Sequence, residues 1–139
     1  MKKNKAFTLI EIMVVVAIVA ILSAIALPSY QQHILRAKVQ EATSALADVR
    51  IKLEQYYQDN RTYVGACAAG TVAPLPATEN FDFACNLAAT TYTVTATGKA
   101  GAMANFSYSI DQDNTRVTLG TDGWGTSANC WVTRKGGSC

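Results

Sequence analysis

Residues 7–27 open with Phe7-Thr8-Leu9-Ile10-Glu11 and continue as an aliphatic run to Leu27, 21 residues with one charge among them. As a helix this stretch is about 32 Å long, close to the thickness of a bilayer's hydrocarbon core. Beyond Pro28 the apolar stripe continues through Leu35, Val39, Ala42, Leu46, Val49, Leu53 and Tyr56, at alternating spacings of four and three. Charged and polar residues, from Arg36 and Lys38 to Glu54, fill much of the other sides. Asp59-Asn60-Arg61, with Gly65 beyond, supplies the expected stop. A single helix from Phe7 to Gln58 would hold 52 residues and span about 78 Å. A globule of 139 residues is only about 37 Å across. Half of such a helix must therefore project, with its apolar N-terminal half resting in a membrane or against copies of itself. The seam from Leu35 to Tyr56 is expected to pack on a sheet. Pro28 removes one ladder hydrogen bond, which predicts a break at that point.

Length and charge narrow the rest. The 139 residues fit one domain, and with 50% hydrophobic and 16% charged residues the chain is not expected to be disordered. Of its 12 basic residues, Lys2, Lys3 and Lys5 precede the apolar run; the nine left face 10 acidic ones, a balance of −1. A strongly basic nucleic-acid binder is disfavoured as the default. One His and four Cys make a metal centre or a His-based hydrolase hard to assemble, so no catalytic, cofactor or metal residue is assigned. His33 reads as an exposed helix residue just past the membrane boundary.

The lysines ahead of the apolar run would keep the N-terminus in the cytoplasm. Three fates then share this pattern: a signal peptide cut after Ala24-Ile25-Ala26, a permanent anchor, or a cut ahead of the helix that leaves it on the mature chain. Glu11 helps to choose. A carboxylate within a membrane costs on the order of 2.5 kcal/mol or more, and neither a disposable signal nor a plain anchor gains from one. The Lys-rich leader, Phe7, Glu11 four residues on, the unbroken aliphatic run and Pro28 together resemble the class III signal of type IV pilins.

That resemblance implies cleavage between Ala6 and Phe7 by a prepilin peptidase and N-methylation of Phe7. Glu11 would then pair with the amino terminus of a neighbouring subunit during assembly. The family usually has Gly before the cut, and this chain has Ala6, also small, so processing is expected to survive. The resemblance is close over residues 1–35 and architectural over the rest. The end of the helix, Gln55-Tyr56-Tyr57-Gln58-Asp59-Asn60-Arg61-Thr62-Tyr63, looks most like the PilE-like group, which includes major and minor pilins.

Three stretches alternate with period two: Thr90–Thr97, Asn105–Ile110 and Thr115–Leu119. Tyr92, Val94 and Ala96 share one face, as do Phe106, Tyr108 and Ile110, and Val117 with Leu119. Residues 98–104 and 111–114 read as the connections, and a further short strand at Asn129–Thr133 fits the pattern. The expected fold is α+β, a long N-terminal α-helix packed on a three- to four-stranded antiparallel sheet with a disulfide-bounded C-terminal loop. The expected division is a leader at 1–6, an apolar helix half at 7–34 and a globular head at 35–139.

The stretch 61–89 and the Gly-rich tail 120–139 lack clear periodicity and carry all the cysteines. Four Cys in an exported head allow three pairings. Local loop closure predicts Cys67–Cys85 and Cys130–Cys139, each stabilising by about 3 kcal/mol in a chain-entropy estimate. The second bridge resembles the C-terminal disulfide region of type IV pilins. Trp124 and Trp131 are expected to pack under that loop.

Asp111, Asp113, Thr115 and Asp122 faintly echo a calcium loop, but its sixth position needs Gly and holds Arg116, so a polar turn is expected. Type II secretion pseudopilins share the leader, and the four cysteines point away from their calcium-bound major subunit. Lys99, Arg116, Arg134 and Lys135 would form a basic strip if they met, the feature a DNA-uptake pilin needs to engage phosphates. The reading as a whole is a type IV pilin, held in the bacterial inner membrane as a precursor. It would then polymerise with itself or other pilins, through the pilus assembly machinery, into an extracellular filament. The alternatives are a DNA-binding uptake pilin, a pseudopilin, and a secreted globular protein with an ordinary signal peptide.

Overall fold

The computed structural model describes residues 7–139, in two compact units that part between Ile34 and Leu35. Ala6, on the leader side of the expected cut, lies outside the described residues.

Helix α1 runs from Leu9 to Asn60. Its start is capped by Thr8, whose hydroxyl accepts the Glu11 N–H at 3.3 Å. Its end is set by Arg61, which turns into the left-handed region (φ 59°) and donates its N–H to the Tyr57 carbonyl at 2.7 Å. That single bond closes the helix in the αL manner, and the Asn60 side chain covers the Tyr56 carbonyl at 3.0 Å. No break occurs at Pro28, contrary to the sequence expectation: α1 is helical through it. Proline removes one ladder bond and crowds the carbonyl four residues earlier, and the bonds on either side hold the helical path here.

In the first unit every large apolar side chain from Leu9 to Leu27 is exposed, Leu9 at 78% and Ile25 at 71% among them. The most apolar window of α1 has a mean hydropathy of 2.9, and none of it is buried.

In the second unit the heptad seam is the core side of the helix. Val39, Ala42, Leu46, Val49 and Leu53 are fully buried, with Leu35 and Tyr56 partly buried at its ends. The sheet has four antiparallel strands in chain order: β1 Phe81–Leu87, β2 Tyr92–Gly98, β3 Ser107–Asp111 and β4 Arg116–Gly120. Tyr92, Val94 and Ala96 of β2 and Tyr108 and Ile110 of β3 are buried, as their alternation requires, and Phe106 is buried just before β3.

Three details differ from the sequence expectations. Strand β1 lies within the stretch read as an irregular connection, although Phe81, Phe83, Cys85 and Leu87 alternate with Asp82, Ala84 and Asn86. It pairs along its whole length with β2, from Phe81 opposite Gly98 to Leu87 opposite Tyr92.

The inward face of β4 is also the opposite of the one expected. A register shift at Ser107/Tyr108 sets Tyr108 opposite Thr118 and Ser107 opposite Gly120. Thr118 is therefore buried and Leu119 is 55% exposed. Residues opposite each other in an antiparallel pair share a face, so Arg116, opposite Ile110, lies on the core side with Thr118.

Asn129–Thr133 is not a strand; the tail makes only isolated bridges, Thr118 to Ser127 and Arg134 to Ser138. Side-chain hydrogen bonds also hold it to the sheet. The Tyr108 hydroxyl donates to the Val132 carbonyl at 3.0 Å, and the Trp131 indole N–H donates to the Ser109 carbonyl at 2.9 Å. Trp124 meets Phe106 edge-on at 5.1 Å. Both tryptophans are buried in packing, as is Val132.

The connection from α1 to β1 is tied down at several points. Tyr63 stacks on Tyr57 at 4.6 Å and meets Tyr92 edge-on at 4.8 Å, and its hydroxyl donates to Glu54 at 3.2 Å. Burial, reinforced by the Glu54 carboxylate, pushes the Tyr63 phenol up to about 12.

Candidate functional site

The first candidate site is the start of α1. Phe7 is 75% exposed and precedes the capping residue Thr8. Glu11 is the third residue of the helix, where a carboxylate faces the positive end of the helix dipole. Thr8-Leu9-Ile10-Glu11 has the spacing of a capping box, a signal legible in the sequence that the sequence reading overlooked. The Thr8 half of that box is formed. Glu11 is exposed and makes no ion pair among the described residues. The arrangement is an apolar rod with one carboxylate near its tip, in no ion pair among the described residues.

The second candidate is the C-terminal loop of the head. The structure joins Cys130 to Cys139 and Cys67 to Cys85. The first bridge closes the tail; the second fastens the connection after α1 to β1. Inside the tail, Gly136 and Gly137 both have positive φ (98° and 79°), which lets the chain turn back to reach Cys130.

The four basic residues do not form one strip. Lys99 follows the Gly98 end of β2, whereas Arg116 begins β4 opposite Ile110, at the other end of the sheet. The Lys99 ammonium is engaged locally, donating to the Thr78 carbonyl at 2.6 Å with Asp82 at 3.5 Å. The Arg116 guanidinium lies over the Trp131 ring, 5.0 Å from its centre. Arg134 and Lys135 are exposed in the disulfide loop. Asp111 serves the β3–β4 turn: its carboxylate accepts the N–H of Asp113 at 3.0 Å and of Thr115 at 2.8 Å. His33 is exposed on α1.

Comparison with known proteins bears on the start of α1 and on the family of the chain. Residues 1–27 match the prokaryotic N-terminal methylation motif. Residues 28–115 match the family described as type IV minor pilin ComP, DNA uptake sequence receptor. The type IV major fimbrial protein FimA of Dichelobacter nodosus is 35% identical, over 82% of this chain and 69% of its own length. The fimbrial protein EcpC of Eikenella corrodens is also 35% identical, over 73% of this chain and 67% of its own. The fold is shared with the crystal structure of the Neisseria meningitidis non-core minor pilin PilV, with a TM-score of 0.54 and 16% identity, covering 66% of this chain and 92% of that one. A methylation motif on an exposed apolar helix, a four-stranded head and fimbrial relatives along most of the chain lead to one assignment: this chain belongs to the type IV pilin family.

Proposed function

We propose that the chain is a structural subunit of a type IV pilus. It is made as a precursor in the inner membrane, cut between Ala6 and Phe7 by a prepilin peptidase, and N-methylated on Phe7. The assembly machinery then draws it, with copies of itself or other pilins, into an extracellular filament. The observation that carries this reading is the unbroken exposure of large apolar side chains from Leu9 to Leu27. Burying one such side chain is worth about 1.5–3 kcal/mol, so a dozen of them strongly favour lipid or neighbouring helices over water. In either setting Glu11 needs a positive partner, and the amino group of a neighbour's Phe7 supplies it. The role is assembly and involves no chemical step.

The test is the N-terminal sequence and intact mass of the chain purified from its native host. N-methylated Phe7 as the first residue is the expected result. A chain beginning at Leu27 overturns the proposal, because the apolar helix would then have been discarded.

A second reading is favoured by the match over residues 28–115 to a family described as a DNA uptake sequence receptor. Here the head of the filament subunit also engages DNA phosphates. Of the four basic residues only Lys99 lies within the matched stretch, and it is paired locally. Arg134 and Lys135, exposed in the disulfide loop and in no ion pair among the described residues, are the candidate phosphate contacts. Salt-dependent binding of duplex DNA by the full chain in detergent, weakened by replacing both with Ala, supports this reading; no binding at low salt removes it.

A further inference from the structure

We propose that the groove between the middle of α1 and the C-terminal loop is a binding site for a carboxylated sugar, a ring acid with hydroxyls beside its carboxylate. The groove has a volume of about 550 Å³, within the range of small-molecule sites. Gln40 and Ser44 of α1 line one side, Asn114 and Arg116 another, and Asn129 and Trp131 the third. No Asp or Glu lines it; Cys139, which bears the terminal carboxylate of this sequence, does, and that carboxylate makes no ion pair with Arg116.

Three amides converge here, and among the described residues the side chains of Gln40, Asn114 and Asn129 make no hydrogen bond within the chain; Asn129 uses only its backbone N–H, toward Ser127. Each amide offers one acceptor and two donors, the complement of neighbouring hydroxyls that both give and accept. Arg116 supplies the charge. Its guanidinium is supported from beneath by Trp131, whose ring is held by the bond from its indole N–H to the Ser109 carbonyl at 2.9 Å. The guanidinium N–H groups of Arg116 make no hydrogen bond or ion pair among the described residues and remain for a carboxylate, which a guanidinium grips in pairs.

The ratio of charge to amides selects the ligand class. Nucleic acid gains its affinity from several phosphate–cation contacts along the strand. This groove has one cation among its lining side chains and three amides, which fits a single negative charge surrounded by hydroxyls. A neutral sugar would leave Arg116 unused, and the Trp131 face on which such a ring would stack is already covered.

The experiment follows the side-chain amide signals of ¹⁵N-labelled full chain in amine-oxide micelles during titration with glucuronate, N-acetylneuraminate, glucose, acetate or a short DNA duplex. Saturable shifts of the Gln40, Asn114 and Asn129 amides with either sugar acid are expected, and the tighter acid identifies the preferred ring. R116Q weakens that binding about tenfold or more, the loss of one charged hydrogen-bond pair. Because Arg116 also packs on Trp131, N129A provides a second variant, expected to weaken both acids while the rest of the spectrum stays unchanged. The proposal is overturned by no saturable shift with either acid. Equal shifts with acetate or glucose, or shifts of the same amides by DNA alone, also overturn it.

Discussion

The hydroxyl of Thr118 accepts the amide hydrogen of Val132 at 2.8 Å. The same hydroxyl donates to the Cys130 carbonyl at 2.8 Å, and the Thr118 backbone bonds Ser127 in both directions, at 2.7 and 3.2 Å. One threonine thus anchors the tail at three residues. This is why a polar side chain faces the core from β4, and why the tail can be buried without pairing as a strand.

Thr118→Val keeps the side-chain shape and removes both hydroxyl bonds, leaving the buried Val132 N–H without a partner. The expected loss of stability is about 1–3 kcal/mol, with cleavage by protease concentrated in residues 121–139. Thr118→Ser should recover most of it. A denaturation midpoint for Thr118→Val equal to that of the parent contradicts this account.

Gly98→Ala is expected to be among the most damaging single-methyl additions to the head. A β-carbon at Gly98 would fall on the backbone carbonyl of Met103, which cannot yield as a flexible side chain would. Gly98 also donates its N–H to the Phe106 carbonyl at 2.9 Å, so the strand cannot move aside without losing that bond. A destabilisation of about 2 kcal/mol or more is expected in urea unfolding, with Gly70→Ala, in open space though at positive φ, costing less.

Stability should fall in acid partly through Glu41. Burial by itself would raise its pKa, but hydrogen bonds outweigh it: Asn80 donates its side-chain amide at 2.6 Å and Glu79 its N–H at 3.0 Å. Together with Thr78 they hold the carboxyl below the usual glutamate range. A folded value below the unfolded one means a contribution complete above the ordinary glutamate pKa and lost as pH falls through the lowered one. Glu41→Gln should therefore be less stable than the parent near neutral pH, with the gap closing as pH falls below the ordinary glutamate range. A gap that stays constant across that range would show that the charge plays no part.

Glu11→Ala is expected to leave a subunit that is cleaved and retained in the membrane but absent from filaments. Removing the carboxylate deletes the partner proposed for a neighbour's amino terminus and leaves the apolar surface intact. Immunoblots of membrane and sheared-surface fractions distinguish this from misfolding, and a normal surface fraction would refute the pairing. Glu11→Asp separates charge from reach, because it keeps the charge one methylene shorter.

Much of this protein was legible in its sequence because the signals were local and periodic. The run from Leu9 to Leu27 and the seam from Val39 to Leu53 are visible because a helix repeats its faces every three or four residues. Tyr92–Ala96 and Phe106–Ile110 were visible for the matching reason, alternation with period two. The cap at Thr8 and strand β1 were also written locally; a capping spacing and four alternating apolar residues went unread.

Other features have no local signature. The inward face of β4 depends on a register shift against β3, and no count of apolar residues in Thr115–Leu119 reveals it, since Leu119 looks like a core residue and Thr118 does not. The cost of burying the Thr118 hydroxyl depends on whether Cys130 and Val132 arrive to use it, and those lie 12 and 14 residues away. The separation of Lys99 from Arg116 likewise follows from strand pairing. By itself the sequence determined the elements, the apolar rod and the face that the head's helix buries, all set by periodic burial along one segment. Tertiary structure alone decided strand register, the satisfaction of buried polar groups and the company of charges, because each is a relation between segments distant in the chain.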